Sequence, residues 1–382
     1  MATQATIYDG LDDAGEVDRA LSWSEQELPQ HQRTRHVHAL HPYLGKFVPQ
    51  LVEAFLTRYV RPGGIVCDPF AGSGTTLVES ATFGAHSAGA DVSAFNVLLA
   101  RAKAARHDPV AVERDLCATL ADVERRLTQD GPADVTCASP YLRRWFAPQA
   151  LGELLAYRAL VRDGVGPTAD LQRVVLSRAA RSARLTPHYD LDFPRAPQQG
   201  PYWCHKHRRE CRPVGEALRF LRRYTLDTTR RVRAFSELRV DVDVAVHHAD
   251  ARVLDWATTF DALITSPPYP GRIDYHEQHR YAFELLELEP WSDAEIGAPA
   301  LGRSRAAFGT YVDDMVGVLA RAGAHLRKGA PVVIVVDDPR GLYPRILERA
   351  GLELVERRLR HVNRRTGRRE GEFFEQELLA RA

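Results

Sequence analysis

Thr265-Ser266-Pro267-Pro268-Tyr269 brings together the groups needed to hold a planar amine. Two prolines fix the backbone and remove two N–H donors, leaving the local carbonyls to face a site as acceptors. Ser266 adds a hydroxyl and Tyr269 a flat ring, so acceptors can take the hydrogens of an NH2 group while the ring stacks on its face. A Pro-Pro turn packed by a tyrosine reads the same way, so this motif needs a companion site. Asp68-Pro69-Phe70-Ala71-Gly72-Ser73-Gly74-Thr75-Thr76 supplies one. Its glycines permit a tight turn and close approach of a ligand, and the helix that follows offers free N–H groups. It is not a phosphate-binding P-loop, because no lysine follows its last glycine.

Two further carboxylates extend that site. Asp91 closes the next apolar stretch about 20 residues on, where a carboxylate accepts hydrogen bonds from both ribose hydroxyls. A helix-capping role before Ser93 is compatible with this. Asp250, in His248-Ala249-Asp250-Ala251-Arg252, has the chemistry to accept a hydrogen bond from an adenine amino group.

The elements that must position these residues read as an α/β pattern. Helical spacing of apolar residues runs over Val48–Tyr59, and Gly63-Gly64 ends it before a short buried strand at Ile65–Cys67. A helix over Thr75–Phe83, a strand over His86–Ala90 and a helix over Ala94–Arg106 follow. Strand, glycine turn, helix, strand and acidic residue together form the opening unit of a doubly wound domain. The pattern then changes to long helices at Val110–Thr128, Ala147–Arg162, Thr168–Arg184 and Gly215–Leu238, around a Pro-, Gly- and Gln-rich stretch at Thr186–Trp203. Strand alternation resumes at Val240–Val246 and Asp261–Ile264, the second leading directly into the Pro-Pro turn. A helix at Tyr311–Leu326, a β-branched strand at Pro331–Val336, a helix at Gly341–Ala350 and strands at Leu352–His361 and Phe373–Ala380 complete the pattern. The expected organisation is a tail over 1–34, a cofactor-binding half over 35–106, a helical insertion over 107–239 and a catalytic half over 240–382.

Composition bounds the class. The chain has 382 residues, 45% hydrophobic and 26% charged, which suits an ordinary globular protein. No run approaches the roughly 20 apolar residues of a membrane span, and Met1–Asp18 is polar and acidic without a signal pattern. A soluble cytoplasmic protein is therefore expected. Five scattered cysteines are too few for a disulfide framework. The net charge of +1 conceals an asymmetry: Ser139–Arg239 carries 20 Lys+Arg against 9 Asp+Glu. A basic middle in a neutral body suits a polyanion-facing insertion, and a set of solvated Arg-rich helices would look the same.

Taken together, DPFAGSGTT and TSPPY resemble the two signature motifs of the amino-methyltransferase family of DNA modification enzymes. The similarity covers most of 35–106 and 240–382. The resemblance implies a Rossmann-like sheet, with S-adenosylmethionine bound by the glycine loop and the target base held, flipped out, by Ser266, Pro267, Pro268 and Tyr269. His41-Pro42-Tyr43-Leu44-Gly45-Lys46-Phe47 resembles the family's N-terminal cofactor motif, which implies that Tyr43 and Lys46 wrap the methionine end. Asp68, Phe70, Ala71, Gly72, Ser73, Gly74, Thr75, Asp91 and Asp250 complete the cofactor set. The motif order, cofactor loop then basic insertion then catalytic turn, is similar to one circular arrangement of the family in which the insertion contains the target-recognition region.

The implied partner is duplex DNA, with room for a companion restriction nuclease. The implied reaction is direct transfer: the exocyclic nitrogen attacks the sulfonium methyl in line. Its lone pair is delocalised into the ring, so acceptors at Ser266 and the Pro267 carbonyl would draw its hydrogens and favour a pyramidal nitrogen. The base must leave the duplex to be reached. No Pro-Cys pair, expected of enzymes that methylate cytosine carbon, occurs in the chain. Family members with Ser-Pro-Pro-Tyr more often act on cytosine N4 than on adenine N6. Methylation of an RNA base and a catalytically silent DNA-binding protein are the rival readings.

Arg272, Asp274, Tyr275, His276 and His279 follow the catalytic turn closely enough to line the base pocket, or simply to open a polar helix. Cys204-His205-Lys206-His207-Arg208-Arg209-Glu210-Cys211 has the ligand types of half a zinc site. Only one such cluster occurs in the sequence, so it reads as a basic loop with incidental cysteines and no metal is expected. Tyr202, Trp203 and the adjacent basic residues suit phosphate contact and base stacking.

Overall fold

Near-continuous apolar runs along the central strands dictate a sheet covered on both faces. The computed structural model describes residues 16–192, 194–271, 274–298, 302, 304–362 and 373–382; Arg272 lies outside them. Its strands are β1 (Ile65–Asp68), β2 (His86–Asp91), β3 (Tyr202–Cys204), β4 (Arg209–Cys211), β5 (Val244–His248), β6 (Ala262–Thr265), β7 (Pro331–Val336), β8 (Glu353–His361) and β9 (Phe374–Arg381). Val66, Ala262, Ile264, Val333 and Val335 pack on one face with Leu51, Phe55 and Leu56 of the helix Pro49–Tyr59. Cys67, Leu263, Val332, Ile334 and Val336 pack on the other with Met315 and Leu319 of the helix Arg305–Gly323 and Ile346 of Tyr343–Arg349. Helices on both faces of a mainly parallel sheet define a doubly wound, Rossmann-like α/β fold.

The seven-stranded sheet runs β5-β2-β1-β6-β7-β9-β8. All neighbours from β5 to β7 are parallel, and β9 is antiparallel to both β7 and β8. From β1 the chain winds one way, through β2 to β5; it resumes on the other side at β6. The crevice outside the carboxyl ends of β1 and β6 is thus the topological switch point, where open sheets bind ligands. Residues 16–22 cover the free edge of β8: Asp18 N–H donates to Leu359 O at 2.8 Å, and Val17 bridges Leu359. Capping an exposed edge in this way blocks pairing with another chain.

Between the helix Ala94–Ala104, which follows β2, and β5 lie five more helices among the described residues, Pro109–Asp130, Pro140–Trp145, Pro148–Val161, Pro167–Ala183 and Leu218–Ser236, and the antiparallel ribbon β3-β4. These five helices share one apolar cluster with Leu77, Phe95 and Leu99 of the helices Thr75–Phe83 and Ala94–Ala104. The short helix Pro140–Trp145 and the ribbon carry no periodic signal long enough to read from sequence. β5 begins four residues later than its alternation suggests. Val240 N–H instead donates to Ala81 O and Arg106 pairs with Asp241, which holds residues 240–243 outside the ladder.

Candidate active site

The chain folds locally so that both motifs leave the sheet at the same end. β1 ends in Asp68, and its turn requires Gly72 at φ +50° and Gly74 at φ +82°, a region that favours glycine. A Cβ on Gly72 would lie 3.2 Å from the Tyr43 hydroxyl, and one on Gly74 only 2.9 Å from Cα and Cβ of Ala100. Gly72 therefore brings Tyr43 down onto the loop, whereas Gly74 lets two helices close together. The next strand over, β6, ends in Thr265, whose hydroxyl donates to Asp68 Oδ1 at 2.6 Å. Ser266 follows directly.

A cleft opens at this switch point. Tyr43, Lys46, Asp68, Phe70, Ala71, Gly72, Ser73, Thr75, Asp91, Asp250, Ser266 and Pro268 all line it. Gly74, Pro267 and Tyr269 do not. Pro267 is buried, and Tyr269 turns toward β9, where its hydroxyl donates to Glu375 Oε1 at 3.2 Å. Burial, then the Glu375 carboxylate, pushes that phenol well above its ordinary pKa. Pro268 O accepts from the Tyr311 hydroxyl at 3.0 Å, and Tyr311 also meets the Tyr343 hydroxyl at 2.9 Å. The Pro-Pro turn is thereby braced by Tyr311 and Tyr343.

Asp91 is held on both oxygens. Oδ2 accepts from Gly72 N–H at 3.0 Å, while Oδ1 accepts from Ser93 N–H at 2.8 Å and Asn96 Nδ2 at 3.1 Å. Burial still lifts its carboxyl, like that of Asp68, to about 6. Asp250 is gripped by Arg252, with Nε at 3.0 Å and Nη2 at 2.6 Å, and Arg252 also reaches Asp314 at 2.7 Å. Burial works against ionisation there, but the Arg252 bonds keep Asp250 below its ordinary pKa. Lys46 donates to His38 O at 3.2 Å, and burial lowers its amine to about 8.

The residues after the Pro-Pro turn divide by placement. Tyr275 stacks on Tyr43 with ring centroids 5.5 Å apart, and His279 stacks on it at 5.6 Å. Tyr275 and His276 line the cleft. Asp274 instead caps a helix turn through Glu277 N–H at 2.8 Å, and His279 is buried, its imidazole pushed down to about 3 by desolvation. Sequence reasoning misses Glu295, which accepts from Tyr275 N–H at 3.0 Å and meets His276 Nδ1 at 2.6 Å. It also misses Asn96, although a polar side chain one helical turn past Asp91 is a signal that would have found it. Glu295 sits in a loop with no such local mark. Trp203 is solvent-exposed, and Tyr202 is half-buried with its hydroxyl accepting from His188 N–H at 2.9 Å.

A cleft built on a glycine loop and a buried carboxylate at the ends of neighbouring strands, facing a Ser-Pro-Pro turn across the switch point, lies where open α/β sheets bind nucleoside-bearing ligands. Residues 9–101 match the family model for N6/N4 DNA methylases. Type II methyltransferase M.MjaII of Methanocaldococcus jannaschii is 33% identical over 91% of this chain and 81% of its own length. Type II methyltransferase M.MvaI of Kocuria varians is 35% identical over 20% of this chain and 18% of its own. Among solved structures, TrmN from Thermus thermophilus overlaps 88% of this chain and 50% of its own at 14% identity and a TM-score of 0.35, too low to carry an argument. The chain belongs to the amino-methyltransferase family of DNA methylases, and is an S-adenosylmethionine-dependent DNA methyltransferase.

The donor set of the cleft fits that cofactor. Ser73 Oγ and Asn96 Oδ1 are buried polar atoms without a hydrogen-bond partner among the described residues, and both residues line the cleft. Buried polar atoms left without partners are costly, so a polar ligand at this place satisfies them. Among the described residues no helix is long and apolar enough to cross a membrane.

Proposed function

We propose that the chain methylates the exocyclic N4 of a cytosine flipped out of duplex DNA, at a specific sequence. The observation that carries the reading is Ser266: a neutral hydroxyl at the end of β6, lining the same cleft as Asp68 and Asp91. Asp91 accepts from the ribose hydroxyls, since a carboxylate retains acceptor capacity beyond its three protein donors. Lys46 and Tyr43 close over the amino-acid end of the cofactor, and Asp250 faces the adenine side. When bound, the cofactor supplies an electrophilic methyl group. Ser266 and the carbonyl of Pro267 hold the target amine by its hydrogens, favour a pyramidal nitrogen and orient its lone pair.

Base stacking is the role of the Tyr269 ring, with Glu375 fixing its tilt through the hydroxyl. The helices and ribbon between β2 and β5 read the target sequence. In their support, Arg143, Arg144, Arg195, Lys206, Arg208, Arg209 and Arg212 are exposed and form no ion pair among the described residues. Such free cations are what phosphate contact uses. Two similar proteins carry the name type II methyltransferase, which supports a restriction-modification role with a separate nuclease.

The test is nucleoside mass spectrometry after incubation with unmethylated duplex DNA and labelled S-adenosylmethionine. The reading expects 4-methylcytosine, abolished in Ser266→Ala. Tyr269→Ala should lose about 5- to 150-fold, the worth of base–aromatic stacking, and Tyr269→Phe much less. A 6-methyladenine product would reassign the base; label on RNA alone would overturn the DNA reading.

A further inference from the structure

The ribbon β3-β4 holds a second constellation, far in chemistry from the methyl-transfer cleft. In its ladder Tyr202 pairs with Cys211 and Cys204 with Arg209. Side chains alternate along strands, so both cysteines fall on one face, and Trp203 and Glu210 on the other. Cys204 and Cys211 are buried free thiols, while Trp203 is 58% exposed. The turn between the strands carries His207, set by Arg208 at φ +51°. His188, from the irregular stretch before the ribbon, brings a second imidazole, its ring centroid 4.9 Å from that of His207.

One ligand atom from each of His188, Cys204, His207 and Cys211 lies within 4.8 Å of all the others. The finer distances are more telling. His207 Nδ1 is 3.6 Å from Cys204 Sγ and 3.4 Å from Cys211 Sγ. With Zn–S near 2.3 Å and Zn–N near 2.0 to 2.1 Å, a sulfur and a nitrogen on one tetrahedral zinc lie about 3.5 Å apart. A single ring N–H satisfies one sulfur well; a nitrogen at nearly the same distance from two sulfurs, 3.6 and 3.4 Å, fits a shared centre. His188 Nδ1 is buried and has no hydrogen-bond partner among the described residues. Its backbone N–H is tied to the Tyr202 hydroxyl at 2.9 Å, which fixes the residue against the cysteine-bearing face.

The ribbon also needs such a tie. Its strands have three residues each, and an isolated two-stranded hairpin is marginal in water. Residues 205–210 are all exposed, so the turn joining the strands gains no anchorage from burial of its own side chains. We infer that His188, Cys204, His207 and Cys211 form a structural zinc site that fixes the basic ribbon. Two thiolates and two neutral imidazoles make a closed tetrahedral set with no position for water, the signature of a structural centre. The fixed ribbon then presents Trp203, Lys206, Arg208, Arg209 and Arg212 outward. The missing ligand in the sequence was His188, sixteen positions before Cys204 and outside any finger-like spacing.

The test uses the full-length protein purified without chelator, its metal content read by inductively coupled plasma mass spectrometry. One zinc per chain is expected. After dialysis against a chelator, Cys204→Ser, Cys211→Ser and His188→Ala should each retain zinc more weakly by roughly tenfold or more, while Cys137→Ser, an exposed cysteine elsewhere, retains it fully. Cobalt exchanged into the wild type should give the visible spectrum of tetrahedral, thiolate-bound Co2+. Calorimetric S-adenosylmethionine binding, expected unchanged in the variants, separates metal loss from unfolding. Zinc far below stoichiometric in the wild type without a cobalt spectrum, or a Cys204–Cys211 disulfide in the peptide map, would overturn the site.

Discussion

Thr265 donates its hydroxyl to Asp68 Oδ1 at 2.6 Å across the join between β6 and β1. That bond ties the first residue of the Thr-Ser-Pro-Pro-Tyr turn to the first residue of the glycine loop, so the two motifs share one anchor. Asp68 is buried, and the Thr265 bond is among the groups that offset desolvation and lower its pKa.

Thr265→Val should therefore push the Asp68 carboxyl further up and loosen both motifs. A hydrogen bond to a charged group contributes about 1.5 to 3 kcal/mol, and urea unfolding should show a loss of that order. Thr265→Ser, which keeps the hydroxyl, should restore most of it. Stability unchanged in Thr265→Val but lost in Thr265→Ser would show that the methyl packing matters and the bond does not.

Burial raises Asp68 and Asp91 from 3.8 to about 6. Both groups bind protons more tightly folded than unfolded, so the ligand-free protein gains this contribution as pH falls from about 6 toward 4 and loses it as pH rises through 6. Cofactor hydroxyls need ionised acceptors, so affinity should run the opposite way. S-adenosylmethionine binding should weaken below about pH 6 by up to tenfold per pH unit for each carboxyl. Asp91→Asn should bind weakly and with a flatter profile. Calorimetric affinities that stay constant between about pH 5 and 7 would rule this out.

Gly74 and Gly63 share a left-handed φ, +82° and +79°, but a Cβ at Gly63 meets nothing within 4 Å. Gly63→Ala should thus cost only the backbone strain, about 1 to 2 kcal/mol. Gly74→Ala adds the 2.9 Å clash with Ala100 and should cost more in chemical denaturation. Matching costs at the two positions would refute the close helix approach as the reason for Gly74.

Glu295 holds the Tyr275 N–H and the His276 ring, and Tyr275 in turn stacks on Tyr43. Glu295→Ala should release that aromatic wall and weaken cofactor binding by about tenfold or more, the worth of one or two charged hydrogen bonds. Glu295→Gln should fall between. Binding unchanged in Glu295→Ala would remove the loop from the cofactor site.

What the sequence by itself determined is local. The glycine turn, the Pro-Pro turn and the β-branched run Pro331–Val336 each declare their conformation through residue type and period, and the strand at Pro331–Val336 and the helix at Thr75–Phe83 have the bounds read from sequence. The chemistry of Ser266, Asp68 and Asp91 was legible for the same reason: functional groups are written in the residue names. Tertiary structure alone decided the neighbours. Strand order put Thr265 against Asp68 across 197 positions, packing turned Tyr269 to Glu375 on β9, and a loop delivered Glu295 to the cleft. The ribbon brought His188 to two cysteines in the same way. Contacts of this kind arise from sheet register and burial of whole faces, which no short window of sequence encodes.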